Sequence, residues 1–327
     1  MPVSRRELLA MLPAAACASI ARVETVRGQV PIESLGTTLT HEHVMVDFAG
    51  AGLVSPKRYD REQVFHAALP RLLEVKRRGC RTLLECTPAY LGRDVALLES
   101  LAQASDLNLI TNTGFYGAAD DKYLPSFVFE QKAEQLAALW VKEAKEGIDG
   151  TRIRPGFVKL GVDSGPLSPV DRKLIQAGAI CHRATGLRLH VHTGPALPAM
   201  EIIDELKRNG VDPSAYVWVH AQVEKDTKAH AAAAKAGAWV SFDGVNAESL
   251  EGHVKMVSAM ATAGYLRQVL VSQDSGWYHV GEPNGGDFHG YTFLFDSFLP
   301  ALRKDAAFSE DQIRTLTIDN PARVLAR

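Results

Sequence analysis

Eight short runs of apolar, often β-branched residues recur along this chain, and most are followed by a longer stretch with helical spacing. The runs are Thr38–Asp47, Thr82–Thr87, Asn108–Gly114, Gly156–Val162, Leu187–His192, Tyr216–His220, Trp239–Asp243 and Gln268–Gln273. Amphipathic stretches between them include Arg61–Arg78, Asp94–Ser105, Phe127–Glu146, Pro169–Ala184, Pro198–Asn209 and Asp226–Ala236. Strands that are apolar on both faces are strands covered by helices. Eightfold alternation therefore predicts an α/β fold, a parallel sheet closed into a (β/α)8 TIM barrel.

Local signals agree with that frame. Gly79, Gly186, Gly210, Gly237 and Gly264 each stand just past a helical stretch, where a left-handed C-terminal cap is needed. Ser309 with Gln312 forms a capping-box start, and Asn320-Pro321 opens the last turn. Val23 to Leu35 reads as a short N-terminal hairpin with Gly28 and Gly36 as turn residues. Hydrophobic residues make up 46% of the 327 and charged residues 23%, enough to bury one large core. No composition shift or low-complexity linker divides the chain, so residues 19–327 are expected to form a single domain. A net charge of −2 gives no reason to invoke nucleic acid or an anionic membrane surface.

The first 18 residues carry a different message. Ser4-Arg5-Arg6-Glu7-Leu8-Leu9 pairs two arginines ahead of a small-residue apolar stretch, and Ala16-Cys17-Ala18 supplies a cleavage signal before Ser19. This pattern predicts a twin-arginine-type signal peptide and a periplasmic or secreted mature protein. An ordinary N-terminal helix is the alternative, and Cys17 as a lipidated cysteine fits the preceding residues poorly. Cys80, Cys86 and Cys181 would remain, widely spaced and odd in number, which argues against a disulfide framework.

Six side chains with metal-site chemistry fall at or near the ends of the runs. His41 and His43 lie two apart, so on a strand they aim at one space. Lys159 sits within the fourth run, His192 and His220 end the fifth and sixth, and Asp274 follows the eighth. In a barrel of this kind all of these ends converge on one face. Neutral imidazoles and a carboxylate suit a borderline divalent ion such as Zn²⁺, with Co²⁺ or Mn²⁺ acceptable to the same set. Four histidines and an aspartate exceed the needs of one catalytic ion, which points to two. Lys159 is the odd member, because an ammonium cannot ligate a cation.

The motifs as a set resemble those of the phosphotriesterase family of the amidohydrolase superfamily. The resemblance rests on Thr38-Leu39-Thr40-His41-Glu42-His43, Gly92-Arg93-Asp94-Val95, Phe157-Val158-Lys159, Thr185-Gly186, His190-Val191-His192-Thr193, Val219-His220, Val271-Ser272-Gln273-Asp274 and Asn320-Pro321-Ala322-Arg323. It implies a binuclear centre bridged by Lys159 as N6-carboxylysine, with one ion on His41, His43 and Asp274 and the other on His192 and His220. A bridging hydroxide would be the nucleophile. Asp274 would accept the released proton and Asp243, ending the seventh run, would pass it toward solvent. Many family members carry an arginine or histidine directly after that aspartate, whereas Gly244 stands here. His279 or His289, from the glycine-rich segment Ser275 to Gly290, are candidates to replace it.

The expected activity is hydrolysis of a lactone or other carboxyl ester, with a phosphotriester as the runner-up substrate. A metal-bound barrel that binds a ligand without turnover is the competing class, and Asp274 as proton acceptor speaks against it. Tyr116 after the third run, and Trp277, Tyr278 and His279 after Asp274, are the expected substrate-contacting residues. Cys86 lies near a strand end but reads as a small buried apolar residue. His190 reads as a core histidine one layer below His192, and Glu42 as structural. His66, His182, His230 and His253 read as solvated helix-surface residues, and Arg93-Asp94 as a helix start. The expected partner is a small ester, lactone or organophosphate; relatives in the resembled family are often homodimers, and the sequence itself does not set the oligomeric state.

Overall fold

The computed structural model describes residues 21–327; the signal-peptide reading of residues 1–18, Cys17 and Ser19 falls outside the described residues. It is a (β/α)8 barrel in one domain. The eight strands are β1 (Thr38–Glu42), β2 (Thr82–Glu85), β3 (Asn108–Ile110, continuing as Asn112–Thr113), β4 (Phe157–Gly161), β5 (Leu189–His192), β6 (Tyr216–Val219), β7 (Trp239–Phe242) and β8 (Val269–Val271). Helices α1 (Arg61–Arg77), α2 (Val95–Ser105), α3 (Ala133–Glu146), α4 (Pro169–Thr185), α5 (Ala196–Arg208), α6 (Thr227–Lys235), α7 (Leu250–Thr262) and α8 (Leu299–Asp305) surround them. All strand pairs from β1 through β8 are parallel, with β3 carrying the sheet across its irregular Thr111.

The ring closes between β8 and β1 through side chains as much as backbone. Thr40 Oγ1 donates to Val271 O, and the His41 amide donates to Ser272 Oγ at 3.0 Å. Beyond the strands, Asp274 N donates to His41 O at 3.1 Å and His43 N to Ser275 O at 2.8 Å. The hairpin Arg22–Thr25/Gly28–Pro31 plugs the opposite end. Its Val23, with Leu35, packs on Leu84, Ile110, Phe157, Val217, Trp239 and Leu270, which fill the lower barrel interior. A second, larger layer of buried side chains joins the outer strand faces to the helices.

Helix starts follow their capping residues. Asp94 accepts from Leu97 N at the head of α2, as expected, and also receives Tyr59 and Arg61. The Ser309/Gln312 box is present at its helix start. Two expected elements are divided. The run Thr38–Asp47 stops at Glu42 because the His43 amide turns to Ser275; the remainder, Met45–Val46, pairs with Tyr278–His279 in a separate two-stranded ladder. The expected helix Phe127–Glu146 breaks at Gln131 and Lys132, both extended, because Gln135 Oε1 captures the Lys132 amide and starts α3 afresh.

The histidine reading also needs correction. His66 is exposed, but His230 and His253 are buried and His182 is half-buried. His230 Nε2 donates to Ala221 O at 2.8 Å, His253 Nδ1 to Ser249 O at 2.9 Å and His182 Nδ1 to Leu187 O at 2.9 Å. Each finds a carbonyl within its own or a neighbouring turn, which is what permits a polar ring on the inner helix face.

The turn after β8 depends on one glycine. Gly276 has φ +102°, and a Cβ there would stand 1.7 Å from His43 O and 2.7 Å from Tyr291 Oη. Gly276→Ala is expected to destabilise the fold by at least about 2 kcal/mol, since it combines a forbidden backbone region with overpacking. The urea midpoint of the purified variant checks this; an unchanged midpoint would show that the turn can open at little cost.

Candidate metal centre at the C-terminal mouth of the barrel

All six expected ligand residues line one small cavity of about 180 Å³ at the C-terminal ends of the strands. His192 closes β5 and Lys159 lies in β4, with the side-chain parity of His190 and Phe157, so both reach inward from regular strand positions. His220 is one residue out of step with the inward-facing Val217 and Val219. Its left-handed backbone, φ +60°, swings the ring back over the cavity. Asp274 uses the same device at φ +53°. His41 gains its orientation from a register shift between Leu39 and Glu42.

The ring nitrogens are sorted by their partners. Thr87 Oγ1 donates to Met45 O, so it accepts from His43 Nδ1 at 2.8 Å, leaving Nε2 unprotonated 3.2 Å from Asp274 Oδ1. His220 Nδ1 donates to Asp243 Oδ1 at 2.6 Å, which leaves its Nε2 as the free lone pair. Lys159 Nζ donates to His41 Nε2 at 3.4 Å, and that nitrogen is 3.6 Å from Asp274 Oδ1. Carboxylate or hydroxyl groups behind ligand imidazoles fix tautomer and ring angle in metal sites.

Burial pushes His41 and His192 well below the ordinary imidazole range, aided by neighbouring cationic groups, and lowers His43 as well. These rings are therefore neutral near pH 7, the form that carries a donor lone pair. His220 goes the other way: burial opposes its charge, but the Asp243 and Asp274 carboxylates outweigh it and raise it. Asp243 is held below the carboxylate range, because the His220 ring and amide more than offset its burial. His190 lies beneath, its ring 4.6 Å from Phe157, and burial pushes it down to about 3.

This donor set fits a divalent metal. Ligand atoms of His41, His43 and Asp274 lie within 4.8 Å of one another, and Asp274 Oδ1 is buried without a hydrogen-bond partner. An orphaned carboxylate oxygen facing imidazole lone pairs is an unsatisfied arrangement that a cation completes. His41, His43 and Asp274 would hold it.

The expected substrate residues divide. Tyr116 lines the cavity with its ring 5.1 Å from His192, and the missing side chain of Gly161 makes its room: a Cβ there would fall 2.7 Å from the ring. Trp277 also lines it, its ring tilted by 32° against His43 at 4.1 Å, with its indole N–H donated to Asp274 O at 2.6 Å. Tyr278 does not: the next residue along a ladder with Met45 faces the other side, where it is buried beside Lys57, Arg58 and Gly281. His279 stands outside the cavity, 5.7 Å from Phe48 and 3.8 Å from Glu282. Sequence reasoning missed Phe48, Tyr123, Pro88, Leu91 and Ala119, which complete the cavity wall. They come from loops without periodicity. Cys86 is also in the wall, fully buried, its thiol pushed up by burial.

The place next to Gly244 is taken by Gln222. Its Nε2 donates to Asp243 Oδ1 at 3.1 Å, its Oε1 accepts from Asp243 N at 3.2 Å, and a Cβ on residue 244 would lie 2.5 Å from that Nε2. Neither His279 nor His289 replaces the missing base; His289 is exposed beside Asp287.

A barrel whose strand ends gather a His-x-His pair, two further histidines, a lysine and an aspartate around one cavity is a metal-dependent hydrolase scaffold, and comparison with known proteins agrees. The chain belongs to the phosphotriesterase family, whose model matches residues 21–325. The phosphotriesterase homology protein of Escherichia coli (strain K12) is 28% identical over 291 residues, covering 88% of this chain and 97% of that one. The organophosphorus hydrolase from Deinococcus radiodurans superposes with a TM-score of 0.84 at 26% identity, covering 94% of this chain and 98% of its own. A solved enzyme engineered for organophosphate hydrolysis from a weak promiscuous lactonase template gives a TM-score of 0.83 at 26% identity, covering 93% and 100%. The family is one of divalent-metal hydrolases.

Asp243→Asn leaves the volume of the side chain unchanged but weakens the grip on His220 Nδ1. It is expected to lower affinity for metal at the His220 side by roughly 10- to 100-fold while the fold persists. Competition titration with a chromophoric chelator reads this directly. Equal affinity and stoichiometry in a folded variant would show that Asp243 does not support a ligand.

Proposed function

We propose that the protein is a binuclear metal-dependent hydrolase whose first-choice substrate is a lactone or other carboxyl ester. The observation that carries the reading is the convergence of all six candidate ligands on one cavity, with an unpartnered Asp274 oxygen among them. His41, His43 and Asp274 would hold one ion, His192 and His220 the other, with Zn²⁺ the first choice and Co²⁺ or Mn²⁺ acceptable.

Lys159 supports a bridged pair. Its ammonium is 1% exposed, and among the described residues no carboxylate lies within ion-pair distance of it. An isolated buried ammonium is costly. Addition of the Nζ amine to CO₂ with loss of one proton would turn it into a carbamate anion, a group that two cations can share. Divalent ions in such a site lower the pKa of water toward about 7 and polarise an electrophilic oxygen.

The chain's own groups supply the rest. Asp274, with Oδ1 turned to the ligand imidazoles, would leave Oδ2 to accept the proton of the attacking water. Asp243, which accepts from His220 Nδ1 at 2.6 Å, holds that ring in the tautomer whose Nε2 faces the cavity. Tyr116 keeps its phenolic proton, because burial and the Asp274 charge raise it, so the hydroxyl donates to the substrate carbonyl oxygen. Phe48, Tyr123 and Trp277 cover the apolar substituent. The phosphotriester remains the second reading, favoured by the organophosphate activity named for the two solved relatives. The paired arginines Arg5 and Arg6 support an exported enzyme.

The deciding measurement is kcat/KM of metal-loaded protein on matched lactones and an aryl phosphotriester. A lactone preference of a hundredfold, about 2.7 kcal/mol of transition-state discrimination, is expected; the reverse ratio would make the second reading the right one. Two variants test the machinery. Lys159→Ala is expected to bind at most one ion per chain, with partial rescue by added short carboxylates, and wild-type metal content would contradict a bridging role. Asp274→Asn should remove turnover by at least about 10²-fold, since it deletes the proton acceptor; full activity in that variant would sink the mechanism.

A further inference from the structure

We infer that Glu42, the residue between the two ligand histidines, is the positioning residue that fixes Asp274 over the metal centre; this rests on the metal-centre reading above. Glu42 is fully buried and faces away from the cavity, into the seam between β1 and the turn after β8. Its Oε1 accepts from Ser272 Oγ at 2.7 Å and from Gln273 N at 3.0 Å, and its Oε2 accepts from Ser275 N at 2.7 Å. The two amides are those on either side of Asp274. One carboxyl group thus holds the backbone N–H groups of the residues before and after the ligand.

That grip answers a local cost. Asp274 is not a glycine, yet its φ is +53°, a conformation that costs of order 1 kcal/mol or more and persists only where the surroundings over-determine it. Without an acceptor, the Gln273 and Ser275 amides would also be buried donors with no partner. The same carboxyl reaches His41 by one relay: Ser272 Oγ, which donates to Glu42, accepts the His41 amide at 3.0 Å. Because Glu42 is flanked by His41 and His43 in the chain, the clamp ties both histidines and Asp274 into one rigid unit. The three side chains that would share an ion are therefore referenced to a single buried group.

Glu42→Gln keeps the shape but offers one acceptor oxygen in place of two, and sets an amide N–H₂ against either Ser275 N or the Ser272–Gln273 pair. Ser272→Ala is the milder companion, removing the hydroxyl relay to His41 while leaving both clamped amides. Metal affinity is measured by chelator competition on metal-stripped wild type and both variants, with circular dichroism and urea midpoints recorded alongside. Visible absorption of the Co²⁺-loaded forms reports ligand geometry. The expected result is a tenfold or greater loss of affinity and an altered Co²⁺ spectrum in folded Glu42→Gln, with a smaller loss in Ser272→Ala. Wild-type affinity and spectrum in folded Glu42→Gln would overturn the inference. If Glu42→Gln does not fold, Glu42→Asp, whose shorter side chain cannot reach both amides, takes its place, and wild-type affinity and spectrum there would overturn the inference. Wild-type protein that binds no metal would instead overturn the metal-centre reading itself, so the two failures are distinct.

Discussion

Closure of the barrel between its first and last strands is the constraint on which the rest of this molecule depends. β8 is only three residues long, and its seam with β1 is sewn by Thr40, Ser272 and Glu42 side chains where a longer strand would use backbone alone. Every one of those groups sits next to a candidate ligand. Short strand and side-chain seam have a functional logic: backbone freed from the ladder can turn through the left-handed conformation that aims Asp274 inward. The strain is then confined to a turn whose neighbours leave it no alternative, with Tyr291 Oη on His43 O and the Trp277 indole on Asp274 O closing it from above.

Electrostatics at the mouth follow from how little water reaches it. Four imidazoles, an ammonium and two carboxylates share a volume in which charged forms are disfavoured, so the histidines mostly respond by shedding protons. His220 is the exception because Asp243 is bonded to it. Burial disfavours the charged forms of Glu42 and Glu85, behind the site, against the pull of the donors that surround them. Such a cluster is poorly stable as a set of free side chains. A cation resolves it by using lone pairs that have no other partner, which is why the unsatisfied Asp274 Oδ1 is more informative than any single distance.

Much of the architecture, and the gathering of the candidate ligands at one face, was legible in the sequence because the strands obey a clear period. Lys159 and His192 point inward by alternation alone, and strand ends in a barrel share a face. Legibility failed where backbone leaves that periodicity. The position of Tyr278 was misjudged since a short ladder with Met45 sets its side opposite to Trp277. His230 and His253 read as surface residues because helix position does not reveal a carbonyl within reach of the ring. Phe48 and Tyr123 meet Trp277 and Tyr116 only through loop tertiary structure, so no spacing in the chain announces them.

Gly244 shows how a departure from a family pattern can be compensated in space while invisible along the chain. Gln222 follows His220 by two residues, in the short turn that reverses the chain after β6, and its amide folds back onto both the carboxylate and the backbone of Asp243. An amide there can donate and accept, so it satisfies Asp243 fully, but it cannot carry a proton at neutral pH as an imidazole does. Asp243 is 0% exposed and held ionised by His220. The combination is suited to holding His220 in one tautomer and less suited to passing protons onward to solvent. On this geometry the residues behind the ligands are built for orientation, and release of the proton falls to Asp274, the one acidic member of the ligand set that solvent reaches.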